Sequence, residues 1–345
     1  MSYRFATQEE IDNWDKLVIA NPDNGNIFQT KGFGLIKSTN NWHPKYITIN
    51  NIYSLVLEKK LPILGNFWYI PKGPGINAPD QLKSLLKPLK DFAKDNKVFA
   101  VKLEPELIVS PDTNKKIKSL GLNIRRGIQA ANTIVLDIAK PLDEITAKFS
   151  PKTRYNIRAA NKANVTTEIA PIDNESCKLF YDLMVATING RSPLRHFEYY
   201  KNYWTLHYQA GTGLFLFAKN SDQILSMDFI TILGNKATRK DAASIRDHSV
   251  RGASALLELE AIKYLKEKGI TVYDLYGTPP SDQIKNPDHP YYGFGNFKAG
   301  FSPDITDYIG SCDLIVDKFK YNIWIKIGER ITHRFYHIIN RENFY

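Results

Sequence analysis

At 345 residues, with 43% hydrophobic and 24% charged side chains, the chain is long enough for two domains and has the balance of a globular protein. Its two cysteines, Cys177 and Cys312, exclude a disulfide framework and a cysteine-built metal cluster, and point to a reducing cytoplasm. A net charge of +10 favours a polyanionic partner, whether nucleic acid, anionic lipid or a diphosphate, without choosing among them.

The opening MSYRFATQEEIDNW lacks a basic start and an apolar core, so no secretory leader is expected. No run approaches the roughly 18 apolar residues of a membrane span. Ile11, Trp14, Leu17 and Val18 are spaced for a short amphipathic helix. Phe28 and Gln29 close an extended piece, after which Phe33, Ile36 and Lys37 fall on a helix ending near Asn40. Tyr46–Asn50 and Ile52–Leu57 read as strands joined at Asn50-Asn51. A buried strand at Phe67–Ile70 runs into the stiff turn Pro71-Lys72-Gly73-Pro74-Gly75. Residues 80–97 put Leu82, Leu85, Leu86, Leu89 and Phe92 on one helical face, with a bend expected at Pro88. Val98–Leu103 is a strand followed by Glu104-Pro105-Glu106, residues 114–120 a helix stopped by Gly121, and Gln129–Leu136 another strand.

Ser150-Pro151 then starts a helix. Lys148 and Lys152, and Arg154, Arg158 and Lys162, step by four along it, with no acid between Glu144 and Glu168. A solvated helix ordinarily mixes its signs, so this stripe reads as a phosphate contact. Thr166–Ala170 is a strand and 173–188 a helix. The stretch from Thr187 to Tyr200 gathers Arg191, Arg195 and Tyr199, the last two facing the same way if helical. Gly213–Ala218, Ile224–Leu233 and Asn235–Ala243 read as three antiparallel strands, Ala253–Lys268 as a helix and Ile270–Leu275 as a strand. Residues 141–310 thus repeat the element order of 1–140, loosely.

The chain's most particular stretch is Tyr273–Phe301, YDLYGTPPSDQIKNPDHPYYGFGNFKAGF. Its glycines let the backbone bend or approach a ligand closely. Phe294, Phe297 and Phe301 can bury themselves and fix that bend around Lys298, a lone cation. A charge so held is costly without a partner, and a substrate phosphate, carboxylate or developing oxyanion would serve. The alternative is a surface lysine snorkelling past an aromatic turn. Gly293-x-Gly295 is too short for a dinucleotide fingerprint and is not expected to open a helix. No P-loop, metal-binding histidine spacing or nucleophile elbow is present in the sequence.

From Lys318 to Arg341 the tail has a helical period. Trp324, Ile327, Ile331, Phe335 and Ile338 form an apolar face expected to pack onto the first domain. Lys326, Arg330, His333, His337 and Arg341 form a basic face, left free for an anionic membrane.

Tyr273-Asp274 and Gly277, then Pro290-x-x-Gly293 and Phe297-Lys298-Ala299-Gly300-Phe301, resemble the end of the second domain in the FemABX family. Ser302 stands where that pattern more often has glycine. Phe28-Gln29-Thr30 with the following helix, Tyr69-Ile70-Pro71-x-Gly73-Pro74, Glu104-Pro105, Ile157-Arg158-Ala159 and Arg195-x-x-x-Tyr199 extend the resemblance over most of the chain. These peptidyltransferases add amino acids to peptidoglycan precursors, with aminoacyl-tRNA as donor. The resemblance implies a mixed α/β fold of two tandem acetyltransferase-like domains, here without the antiparallel coiled-coil arm of some members. Residues 1–147 with 315–345 would be the first, precursor-binding domain, and 148–314 the aminoacyl-tRNA side.

The resemblance also implies roles. Lys298 and Glu104 are the catalytic candidates. Lys37, Arg191, Arg195, Tyr199 and Phe297 would contact substrate, and Lys152, Arg154, Arg158 and Lys162 the tRNA. No cofactor or metal is implied. The expected enzyme is a cytoplasmic monomer, peripheral at a membrane if its acceptor is lipid-linked rather than UDP-linked. Two other readings are an acyl-CoA N-acyltransferase and a non-catalytic tRNA- or precursor-binding module. For the former, Arg251-Gly252-Ala253 precedes the right kind of helix at the wrong spacing.

Overall fold

Gly65–Ile70 and Lys236–Ser244 occupy equivalent places in two sheets. Each follows a long antiparallel partner, Ile52–Leu61 in one case and Gln223–Leu233 in the other. Each is followed by a crossover helix, Pro79–Asp95 or Ala253–Glu267. Each then pairs in parallel with the strand beyond that helix, Val98–Leu103 or Val272–Asp274. The repeated element order expected from sequence is therefore a repeated topology.

The structure is a computed structural model describing residues 2–190, 194–245, 250–340 and 344–345, the side chains of 337–340 excepted. The chain divides into a first unit, Met1–Ala131 with Tyr308–Tyr345, and a second unit, Asn132–Asp307. A seven-stranded sheet forms the first and a six-stranded sheet the second, both mixed. Asn132–Ala147 falls in the second unit, although the sequence placed it in the first. The reason is pairing: Val135–Asp137 lies antiparallel to Val272–Asp274. Tyr308–Leu314 belongs to the first unit because Ser311–Ile315 inserts between Val98–Leu103 and Asn123–Arg125. Among the described residues no pair of long helices forms a coiled-coil arm, and no helix is long and apolar enough to cross a membrane.

Each sheet has its own core. Leu82, Leu85, Leu89 and Phe92 pack with Trp68, Val101 and Leu103 in the first unit. Leu256, Leu257, Ile262 and Leu265 pack with Leu216, Ile230 and Tyr273 in the second. The helix spacing and the strand runs read from sequence account for both.

The tail departs from expectation. Lys318–Ile323 and Glu329–Asn340 are α-helical, and a π-turn joins them at Trp324–Gly328. Trp324 is buried, but Ile327, Ile331 and Phe335 are exposed, so the expected apolar face does not pack on the unit. Ile338, His337 and Arg341 lie outside the described side chains. The wider π-turn rotates the helix beyond it, and Phe344 comes back to pack on Trp42, Trp324 and His333. Tyr336 donates to the Asn40 carbonyl at 2.9 Å.

Candidate active site

The strand Val272–Asp274 ends in a turn at which Tyr276 and Gly277 both take positive φ, 48° and 83°. Asp274 holds the turn. Its carboxylate accepts from the Tyr276 amide at 2.7 Å and from the Thr133 hydroxyl. Two successive left-handed residues aim both carbonyls one way, and Lys298 donates to both: to Gly277 at 2.8 Å and to Tyr276.

Lys298 is the last residue of a helix, Tyr292–Lys298, so Gly293-x-Gly295 lies in a helical turn, contrary to expectation. Close approach explains the glycines. A Cβ at Gly295 would sit 2.3 Å from Pro279, and one at Gly300 would sit 2.3 Å from the Thr153 hydroxyl. Phe301 is buried and packs on Phe297 and Phe149. Phe294, expected to be buried, is 43% exposed. At 9% exposure Lys298 is not a snorkelling surface residue.

Beneath Lys298 lies a cluster that sequence spacing does not reveal. Arg239 forks onto Asp228 at 2.7 and 2.9 Å, and its Nε is also 2.8 Å from Glu258. All three are buried on neighbouring strands and the crossover helix. An acid inside the apolar run Ile224–Leu233 was the available signal. Burial pushes the Glu258 and Asp228 carboxyls up, against the pull of Arg239. Burial, and then Arg239, push Lys298 down to about 7, while Asp274, Glu258 and Asp228 oppose that shift.

Lys298, Arg239 and Phe297 line a cavity of about 300 Å³, together with Thr187, Ser226, Ser244, Ser254, Gly293 and Phe294. The Arg239 guanidinium lies 5.4 Å over the Phe297 ring. An ammonium has three donors and two are spent on carbonyls, which leaves one for a substrate oxygen in the cavity. Chemically, the arrangement is one positioned N–H donor of adjustable charge at the edge of a partly apolar pocket.

The other sequence-derived residues are spread over both units. Glu104 is 2% exposed, and its carboxylate accepts from the Tyr69 hydroxyl and from the Ile128 and Gln129 amides at 2.7 and 2.8 Å. Burial pushes it up. Its carboxylate thus holds the backbone amides of Ile128 and Gln129 in the first unit. Lys37 is 4% exposed, which excludes a solvated helix residue, and its ammonium lies 5.5 Å over Phe33. In the second unit, the Arg195 guanidinium lies 4.4 Å over the Tyr199 ring. Arg195 precedes the helix Phe197–Gln209, which His196 caps. Arg191 lies outside the described residues.

On the helix Pro151–Lys162, Lys152, Arg158 and Lys162 are exposed. Arg154 instead turns back and donates to the carbonyls of Ala147, at 3.2 Å, and Phe149. The Arg251-Gly252-Ala253 turn is used for packing. A Cβ at Gly252 would sit 2.0 Å from the Asn156 carbonyl oxygen, so the basic helix occupies the space beside it.

Two lipid II:glycine glycyltransferases, from Staphylococcus epidermidis and Staphylococcus aureus, are each 24% identical to this chain, covering 92% of it and 94% of the relative. The first alignment runs over 398 residues, more than the 345 of this chain, so the relatives carry segments without a counterpart here. Among solved structures, FemX aligns with a TM-score of 0.79 at 21% identity, over 94% of this chain and 99% of that one. The C-terminal domain of a putative lysylphosphatidylglycerol synthetase from Agrobacterium fabrum aligns at 0.56 and 13%, over 94% and 96%. The FemAB family matches at residues 6–124 and 219–326, which include most of the first unit's sheet, the second unit's strands Gln223–Leu233, Lys236–Ser244 and Val272–Asp274, and the Lys298 turn, and the chain belongs to that family.

Proposed function

We propose that this protein is an aminoacyltransferase of peptidoglycan cross-bridge formation, taking its amino acid from aminoacyl-tRNA and placing it on the stem-peptide amine of a precursor. The placement of Lys298 carries the reading: a buried ammonium, held by two carbonyls, beside a cavity sized for an aminoacyl group. The full-length similarity to the two glycyltransferases supports the same class.

The reaction is an aminolysis. The amine nitrogen attacks the ester carbonyl, a C–N bond forms, and the ester C–O bond breaks. The tRNA terminal oxygen leaves and ends protonated, the amine having lost one proton. The ester is already activated, so no covalent enzyme intermediate is required. The protein's work is to hold two anionic substrates and to stabilise the tetrahedral oxyanion. Lys298 donates to that oxyanion. Lys152, Arg158 and Lys162 meet tRNA phosphates from the second unit. Lys37, Arg195 and Tyr199 meet the precursor's phosphates and sugar.

The test is incubation of the protein with charged tRNA and with either UDP-linked or lipid-linked precursor, followed by product mass. A precursor heavier by one aminoacyl residue supports the reading. An unchanged mass with both precursors and a full set of charged tRNAs overturns it.

A further inference from the structure

Among the described residues of the first unit, ten large apolar side chains are exposed, and five of them lie on the tail helix. They are Phe319, Ile323, Ile327, Ile331 and Phe335, and they recur every four residues. On a plain α-helix that spacing drifts by about 40° per step. The π-turn at Trp324–Gly328 falls in the middle of the series, and its wider turn offsets part of the drift. The five therefore stay on one stripe. The residue before each is Lys318, Asn322, Lys326, Arg330 or Arg334, and all five of those are exposed too. A row of four cations runs beside a row of five apolar side chains. The acid in that stretch, Glu329, is half-buried and accepts from Tyr345 at 3.2 Å.

A second observation lies next to the first. The turn between the strands Ile52–Leu61 and Gly65–Ile70 abuts this helix: a Cβ at Gly328 would sit 3.5 Å from Leu64. At the tip of that turn Ile63 is 99% exposed at a φ of 67°. A β-branched residue in the left-handed region is disfavoured, and full exposure gives it no packing in return. The turn holds an isoleucine out into solvent beside a helix that does the same five times over.

We propose that this face, the tail helix with the Ile63 tip, docks on an anionic bilayer surface, its apolar row entering the interface and its cations meeting lipid headgroups. Charge and chemistry together select that occupant. A bilayer surface has apolar depth for one row and negative charge for the other. Nucleic acid would use the cations but not three isoleucines. A second copy of the face would bring lysines and arginines against lysines and arginines. The inference goes beyond the transferase reading and does not depend on it, because binding is measured without either substrate.

The experiment is co-sedimentation of the full chain with vesicles of phosphatidylglycerol and phosphatidylcholine, and with phosphatidylcholine alone, at low and high salt. Two exposed-site variants accompany the parent, Ile327→Ser/Ile331→Ser and Lys326→Gln/Arg330→Gln, each checked for an unchanged melting temperature. We expect binding to the anionic vesicles that weakens with salt, and a loss on the order of tenfold in each variant. No binding of the parent at low salt overturns the proposal. So does full binding by the serine variant, which would mean charge alone. Self-association of the parent, or tRNA binding that the glutamine variant abolishes, overturns it when vesicle binding is absent.

Discussion

The Lys298 ammonium lies 2.8 Å from the carbonyl oxygen of Gly277, a residue with a φ of 83°. That distance ties the catalytic candidate to a backbone conformation few residues adopt, reached from a strand whose Asp274 fixes the turn. The lysine is held by dipoles and by a buried cluster whose carboxyls Arg239 already pairs. Its charge is therefore only partly compensated.

We expect Lys298→Met to lower turnover by about 100-fold, the usual scale for one oxyanion contact, while KM for either substrate changes little. Lys298→Arg should not restore the rate, because a planar fork does not fit a site built for a point charge between two carbonyls. Steady-state kinetics decides the matter. Near-parental turnover in the methionine variant would remove Lys298 from the chemistry.

The depressed Lys298 pKa sets a pH dependence. An unfolded chain keeps this proton up to its ordinary value of 10.5, and the folded protein releases it near 7. Between those values the unfolded state binds more protons, so stability from this group rises with pH. The burial cost is fully present below about pH 7 and is relieved towards 10.5. The melting temperature of Lys298→Met, measured relative to the parent, should therefore be higher at about pH 6 than at about pH 10. Turnover of the parent should fall as pH rises through about 7, since the oxyanion donor is the charged form. A rate that climbs through that pH would assign Lys298 the base's role instead.

Arg239 is buried between two carboxyls, and removing it leaves both without their counter-charge. Arg239→Met should cost about 3–5 kcal/mol, as breaking a buried pair does, read by denaturant unfolding. Adding Asp228→Asn should recover part of the loss. If the single variant is as stable as the parent, the cluster is not a structural element of the site.

The two sheets were readable because their strands are apolar runs with turn residues between them, and the helices because Leu82 to Phe92 and Leu256 to Leu265 keep one face. Lys298 was readable as an isolated cation among glycines and aromatics. What sequence spacing could not carry was non-local. Asp228 and Arg239 meet across two strands, and Glu258 joins them from a helix. Gly295 and Gly300 answer to Pro279 and Thr153, which come from other segments. Arg154 kept the spacing of its basic neighbours yet went to backbone carbonyls, a choice that helical periodicity does not encode. The tail failed for a similar reason, since a single π-turn shifts every side chain beyond it.

On the basic helix, the exposed and engaged cations should separate experimentally. Lys152→Gln/Arg158→Gln/Lys162→Gln should lower the slope of log affinity for tRNA against log salt by roughly 2–3, about one for each phosphate no longer neutralised. Arg154→Gln should leave the slope alone and lower the melting temperature, because it strips donors from the Ala147 and Phe149 carbonyls. Filter binding across a salt series gives both slopes. An unchanged slope in the triple variant would make this helix an ordinary solvated surface.

The last expectation concerns the precursor. Lys37 is too buried for a solvated cation, and the Arg195 guanidinium is stacked on Tyr199 at 4.4 Å. Diphosphate recognition by lysine charge and arginine fork uses both kinds of group. Single substitutions Lys37→Ala, Arg195→Ala and Tyr199→Phe should be titrated with the UDP-linked precursor by calorimetry. The first two should each weaken binding by about tenfold or more, the scale of a charge-assisted contact. Tyr199→Phe keeps the ring under Arg195 and should bind nearly as the parent does if stacking is its role, whereas a roughly tenfold weakening would mean that its hydroxyl meets the ligand. Parental affinity in both alanine variants would place the precursor elsewhere.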